Sequence, residues 1–495
     1  MRVLYVCTEL FPLLKTGGLG DVGAALPPAL RDAGCDVRVV LPGFPAIRAG
    51  VSRSRLPPAS PLALPDGDGP RLTHLHLTQP PSLQPATLPA SGLAAYVLDV
   101  RALFDRPGNP YADAHGDNGI RFALLGWAAA CLGLGLDPRW QPDVVHCHDW
   151  HTGLAPLYLR QMAMPGPASA ATVFTIHNLA YQGLFPRSLF RQLGLPDPLF
   201  GIDGIEFWDQ VSFMKAGLQF ADRITTVSPT YAREILEPEQ GCGLDGLLRA
   251  RSAVVSGILN GVDYRTWSPA HDNVLSHPYD WDSLEIKGKA KAELQRKMGL
   301  AVRPDAMLFG VVSRLTEQKG LHLVEAVADE LVAMGGQLAV LGAGDAPLEQ
   351  SFLQAAQRHA GQVAVEIGYD ESLAHAIIAG ADVILVPSRF EPCGLTQLYA
   401  LRYGALPLVH RVGGLADTVV DATAPSLQAG RATGIVFDEF SPQGLRGAVR
   451  RSFELHAQPD AWARIQRTAM LRRFDWGEAA GRYVALYRSL KPHAG

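Results

Sequence analysis

Largely apolar blocks punctuate the first half of this chain at 3–7, 37–41, 95–100 and 143–147. Shorter mixed blocks follow at 172–176, 223–228 and 254–259. Between them lie stretches with apolar residues at helical spacing, such as 22–30 and 119–134. Strand-like blocks alternating with helices predict parallel sheets covered on both faces. A second series begins at 307–312 and continues at 337–344, 363–367, 383–387 and 406–409. Four of these five runs are dominated by Val, Ile and Leu. The Pro-rich stretch 52–91 interrupts the first series and predicts a loop or small hairpin insertion. Within it, His74 and His76 alternate with Leu75 and Leu77, which puts the histidines on the solvent face of a strand. The segment 269–285 reads as an irregular crossing, and 462–490 as helical with a break at Phe474-Asp475-Trp476.

The pattern predicts an α/β protein of two Rossmann-like, doubly wound domains facing a deep cleft. The first spans 1–258, with a C-terminal helix at about 476–495 crossing back to it; the second spans 259–475. A length of 495 residues is too great for one core, in agreement with that division. Composition adds exclusions. The chain is 47% hydrophobic and 19% charged, ordinary for a globular protein. A net charge of -4 supplies no basic field for nucleic acid. No apolar run reaches the length of a membrane span, and the N-terminus enters a strand without a leader pattern. Six cysteines without paired spacing read as reduced thiols, so the expected location is cytoplasmic.

Candidate chemistry gathers where strands end. Lys15-Thr16-Gly17-Gly18-Leu19-Gly20-Asp21 joins the first strand to the first helix. That order brings backbone N–H groups, the positive end of a helix and the Lys15 charge to one point, a place for an anion. The plainer alternative is a turn that needs small residues only for packing. The run 143–151 holds three His, one Cys and two Asp, which suggests zinc. Paired ligand spacing is missing, however, and the polar residues cluster at a strand's C-terminal end, where open α/β sheets bind ligands. A polar sugar pocket is the favoured reading. Thr175-Ile176-His177-Asn178 repeats the arrangement one strand later. In the second domain, Ser313 to Gly320 carries Arg314 and Lys319, cations suited to a diphosphate, or else merely solvated. Glu391 follows another strand and precedes the small-residue turn Pro392-Cys393-Gly394-Leu395-Thr396. A carboxylate there suits hydrogen bonding to a polyol.

Taken together, Lys15-Thr16-Gly17-Gly18-Leu19, His148-Asp149-Trp150-His151, Thr175-Ile176-His177-Asn178-Leu179, Leu259-Asn260-Gly261-Val262-Asp263, the run from Ser313 to Gly320 and the run from Glu391 to Gln397 resemble bacterial glycogen synthases and plant starch synthases. The likeness runs nearly end to end. It implies a GT-B glycosyltransferase, with its active site between the domains, that moves glucose from ADP-glucose to the non-reducing end of an α-1,4-glucan with retention. It implies no metal and no other cofactor, and partners limited to the sugar nucleotide and the glucan acceptor.

By that resemblance Lys15 and Gly18 lie against the nucleotide sugar, Arg314 and Lys319 bind the diphosphate, and Glu391 contacts the transferred glucose. Cys393, Gly394, Leu395 and Thr396 line the sugar and phosphate sites, and His177 stands at the reacting centre. Asp21, Asp149, Asn260 and Tyr369 are further polar contacts, and Tyr96 lies on the acceptor side. Related retaining transferases carry a second Glu eight positions after the first; here the position is Tyr399, and no catalytic role is assigned to it. Two alternatives stay open: a UDP-glucose-dependent transferase on the same fold, and a non-catalytic glucan-binding protein.

Overall fold

Strands form where the apolar blocks lie. The computed structural model describes 1–53, 62–65, 69–70, 80–106, 108–162 and 169–490. The alternation at 73–77, with His74 and His76, lies outside the described residues. The chain divides into two units. Unit 1 comprises Met1–Val227, Ala232–Ile258 and Trp476–Gly495; unit 2 comprises Ser228–Tyr231 and Leu259–Asp475.

Unit 1 is built on β1 (Arg2–Val6), β2 (Asp36–Pro42), β3 (Ser52–Arg53), β4 (Leu62–Ala63), β5 (Ser82–Thr87), β6 (Ala94–Asp99), β7 (Val144–His148), β8 (Ala171–Ile176), β9 (Leu184–Pro186), β10 (Glu206–Phe207), β11 (Gln210–Ser212), β12 (Arg223–Thr226) and β13 (Val255–Gly257). The main sheet runs β13-β12-β8-β7-β1-β2-β6-β5-β3, with β4 beside β5. From β13 to β6 every pairing is parallel. The Pro-rich insertion supplies β5, which runs antiparallel along the outer side of β6, and β3 and β4 pair with β5. The insertion therefore extends the sheet, covering a strand edge that would otherwise leave its backbone unpaired. β9 to β11 form a separate three-stranded sheet.

Order within the main sheet fixes where a ligand fits. From β1 the chain steps to β2 and β6 on one side, then returns to β7, β8, β12 and β13 on the other. The reversal falls between β1 and β7, and a crevice opens at the C-terminal ends of such a strand pair. The helix Asn118–Gly133 is buried along its whole length. The last helix, Trp476–Leu490, packs in this unit beside the helix Gly18–Asp32, burying Tyr483 and Tyr487.

Unit 2 carries β14 (Leu308–Val312), β15 (Gln337–Gly342), β16 (Val363–Ile367), β17 (Val383–Val386), β18 (Leu406–His410) and β19 (Ile435–Phe437). All pair in parallel, in the order β16-β15-β14-β17-β18-β19. β15, β17 and β18 are buried at every position, as continuous Val/Ile/Leu blocks between helices demand. Here the strand order reverses between β14 and β17. Both crevices thus coincide with motif residues that the sequence places just past β1, β7, β14 and β17.

Candidate active site

In unit 1 the Lys15 turn is organised by a residue with no motif signal of its own. Glu9 is 2% exposed. Its carboxylate accepts from the Thr16 N–H at 2.6 Å, the Gly17 N–H at 3.2 Å, the Thr16 hydroxyl at 2.5 Å and the Tyr111 hydroxyl at 2.7 Å. This corrects one expectation. Thr16 and Gly17 do not offer their N–H groups to a ligand, because an internal carboxylate already holds them. What the turn presents is Lys15, whose ammonium lies 2.8 Å from Asp21, and the exposed Gly18 that begins the helix Gly18–Asp32.

Next along the rim, β7 is followed by Asp149 with φ +57° and ψ 178°. That backbone is almost confined to glycine and costs roughly 1–3 kcal/mol in another residue. The distortion aims the carboxylate across to the end of β8, where it accepts from the His177 N–H at 2.8 Å and the Asn178 N–H at 3.4 Å. Burial lifts the Asp149 carboxyl to about 7, against the pull of those two N–H groups. Asp149 therefore fixes the His177 backbone through Oδ1.

The histidines behind it are neutral by desolvation. Burial drives His146 down to about 3 and His148 and His151 well below their ordinary value, and it lowers His177 too. His146 is held by the Tyr487 hydroxyl and by Thr175, each at 2.7 Å. His148 Nδ1 lies 2.9 Å from His177 Nε2. His146 spends both its nitrogens on Tyr487 and Thr175, and His148 spends Nδ1 on His177. Among the described residues no group of three or more His, Cys, Asp or Glu is arranged to hold a metal ion.

Tyr96 is not brought to this rim. It is 2% exposed on β6, and its hydroxyl donates to Asp137 at 2.8 Å and accepts from Arg38. Asp137 precedes β7, so Tyr96 points toward the N-terminal edge of the sheet. The acceptor-side role is corrected: the ring fills the interior and its one polar atom is already satisfied.

In unit 2 the two motif segments meet at the β14–β17 crevice. Lys319 Nζ lies 2.5 Å from Glu391 Oε2, and the Ser388 hydroxyl donates to the same oxygen at 2.9 Å. Glu391 is 6% exposed. Two glycines make this closeness possible. Gly320 has φ +69°, and a Cβ there would sit 1.9 Å from the Pro387 carbonyl oxygen; Gly413 has φ +43°, and a Cβ there would sit 2.0 Å from that of Glu391. The backbone carrying Glu391 is clamped from both sides where any side chain would collide. Arg314 is exposed and donates to Gln318 at 3.5 Å. The Thr396 hydroxyl donates to the Val312 carbonyl at 3.4 Å, tying the end of β14 to the turn after β17.

Cys393 is buried, which pushes its thiol up to about 12, while hydrogen bonds from Asn260 pull the other way. A thiol so protonated fits the reading of a small filler. Gly394, at φ +71°, and Leu395 complete the turn into the helix Thr396–Arg402. Tyr369 stands 74% exposed just past β16, its hydroxyl bonded to Glu371. Tyr399 stacks on Trp267 with centroids 3.9 Å apart, a packing role.

Residues 2–250 match the family described as starch synthase catalytic domain, and 296–468 match glycosyl transferases group 1. The chain is 60% identical to a glycogen synthase of Albidiferax ferrireducens, with 100% of both chains covered. The chain belongs to the glycogen synthase family. A glycogen synthase of Variovorax paradoxus is 56% identical, again over 100% of each chain. Among solved structures, the catalytic domain of starch synthase IV from Arabidopsis thaliana, bound to ADP and acarbose, is similar at a TM-score of 0.85 and 32% identity, covering 99% of each chain. The chain is accordingly a glycosyltransferase of GT-B fold whose activity is glycogen synthesis. No helix among the described residues is long and apolar enough to cross a membrane.

Proposed function

We propose that this glycogen synthase takes its glucose from ADP-glucose and adds it to the non-reducing end of an α-1,4-glucan, with retention and without a metal, in the cytoplasm. The observation that carries the reading is the Lys319–Glu391–Ser388 cluster at the β14–β17 crevice, with Arg314 on the same loop as Lys319. As the bond from glucose to the diphosphate stretches, negative charge grows on the phosphate oxygens. Cations held in position before the reaction stabilise that charge without reorganising. Lys319 and Arg314 are the groups for it. Glu391, fixed by Lys319 and Ser388, keeps a second oxygen to accept from a sugar hydroxyl.

In unit 1, Lys15 adds a further cation, and His177 stands at the reacting centre with its backbone held by Asp149. Asn260, Cys393, Gly394, Leu395 and Thr396 shape the sugar and phosphate sites, and Tyr369 offers an exposed aromatic face to the nucleotide. Among the described residues no side chain is positioned as an obvious covalent nucleophile. The acceptor hydroxyl therefore attacks from the face the diphosphate leaves, and its proton passes to a phosphate oxygen. ADP as the leaving group is supported by the ADP on the Arabidopsis catalytic domain. Radiolabelled transfer to glycogen from ADP-glucose and from UDP-glucose, each with and without a chelator, tests the reading. Transfer from ADP-glucose that is indifferent to the chelator is expected. Preference for UDP-glucose, or loss of turnover restored by a divalent ion, would overturn the donor or the metal-free part respectively.

A further inference from the structure

His148 is buried against two rings, Tyr5 at 4.1 Å and His146 at 4.1 Å between centroids, which hold its orientation. Only its edges are left for chemistry. Nδ1 faces His177 Nε2 at 2.9 Å, while Nε2 is buried without a hydrogen-bond partner among the described residues. A neutral imidazole carries one proton, so two arrangements are possible. If His148 is protonated on Nε2, an N–H donor is buried with nothing to receive it, and His177 must donate from its own Nε2. If His148 is protonated on Nδ1, it donates to His177 Nε2, and the atom left unpaired is a lone pair. Orphaned buried N–H groups are rarer in proteins than under-used acceptors.

We infer that His148 is a positioning residue: its Nδ1–H donates to His177 Nε2 and thereby holds His177 in the tautomer that carries its proton on Nδ1. The burial that keeps both rings neutral is consistent with a single shared proton between these nitrogens. A neutral His177 locked this way always offers a donor at Nδ1 and never a lone pair. Such a donor recognises a hydroxyl oxygen of the transferred sugar, and it is available at every pH at which the ring stays neutral. The Tyr487–His146–Thr175 chain stacks against His148 and keeps its ring from turning over. The tautomer assignment stands on the geometry of unit 1 alone; its catalytic consequence rests on His177 acting at the reacting centre, as proposed above.

Long-range 1H–15N spectra of the full chain, labelled in its 15 histidines, read the tautomer directly. His177→Gln identifies the His177 signals by their loss. The wild type is expected to show His177 protonated on Nδ1. Replacing the donor, His148→Leu, is expected to move the proton to Nε2 and to lower kcat about tenfold, the effect of one lost hydrogen bond, with KM for the donor sugar little changed. His148→Asn, whose amide N–H falls near the lost Nδ1–H, is expected to restore both. A wild-type spectrum with the His177 proton on Nε2 overturns the inference, whether or not the variants fold. If His177→Gln left turnover intact, the catalytic role of His177 would fall while the tautomer itself stayed decided by the spectrum.

Discussion

The two units share one topology and solve opposite electrostatic problems at the same place in it. Each has a run of parallel strands whose order reverses once, between β1 and β7 in unit 1 and between β14 and β17 in unit 2. Each collects its polar residues at the C-terminal ends of that strand pair. Unit 1 fills its crevice with groups that cancel or lack charge: Glu9 caps the Thr16–Gly17 N–H groups, Lys15 faces Asp21, and the imidazoles are neutral by burial. Unit 2 sets Lys319 against a mostly buried Glu391, with Arg314 in solvent close by along the chain. The fold supplies a location, and the residues decide what is done there. On the proposed reading, neutral donors and acceptors sort hydroxyls and fixed cations receive a phosphate's charge.

The sharpest way to break this contrast is to remove the cation. Lys319→Ala should lower kcat by about 10²–10³, the usual loss when one donor to a developing negative charge is deleted. ADP release with glycogen as acceptor measures it, and far-UV circular dichroism checks that the sheets survive. Turnover within a factor of two of wild type would remove Lys319 from the mechanism.

Acid should separate the units next. A histidine whose folded pKa lies below its unfolded value contributes stability that is fully present above about 6.5 and lost as pH falls. His146, His148, His151 and His177 are cases of this in unit 1. Asp149 opposes them. Its folded value of about 7 lies above the ordinary carboxyl, so it loses stability as pH rises from about 4 to 7 and gains as pH falls. Four histidines outweigh the one carboxyl, so unit 1 loses stability as pH falls below about 6.5. In unit 2 His456 alone has a resolved lowering, and Lys287, lowered to about 7 by burial, is protonated throughout that range. Hydrogen exchange, corrected for the intrinsic pH dependence of amides, should therefore loosen β7 and β8 before β14 and β17. Uniform loosening would refute the assignment of neutrality to one unit.

Glu9 tests whether the Lys15 turn is shaped from within. Glu9→Ala leaves two backbone N–H groups and two hydroxyls without their acceptor. A loss of about 2 kcal/mol in transition-state stabilisation, read as kcat/KM, is expected with a lowered melting temperature. Unchanged kinetics with a lowered melting temperature would make Glu9 a residue of stability only.

What the sequence made legible follows from range. Strands announce themselves through consecutive Val, Ile and Leu, so β1, β7, β14 and β17 and the polar residues just past them were readable one by one. Partnerships across the sheet were not. Glu9 meets Thr16 over seven positions and Tyr111 over 102. Lys319 meets Glu391 over 72, and His148 meets His177 over 29. Such pairs depend on strand order, which apolar patterning does not encode. Asp149 was visible as a polar residue at a strand end; its positive φ, which lets its Oδ1 support the His177 backbone, was not.

Tyr96 shows the same limit from the other side, and it carries the smallest expected effect. Its position on a strand fits an acceptor-facing residue as well as a structural one, because alternation fixes the face but not the end toward which a long side chain leans. In the folded unit its hydroxyl is committed to Asp137 and Arg38. Tyr96→Phe keeps the ring and deletes that donor, which should cost about 1 kcal/mol of stability, since Arg38 and Arg139 continue to satisfy Asp137. KM for glycogen should not move, because nothing the hydroxyl touches lies at the C-terminal rim. Denaturant unfolding and acceptor saturation curves measure the two quantities separately. A raised KM for glycogen at unchanged stability would return Tyr96 to the acceptor side and would make the N-terminal edge of the sheet a working surface.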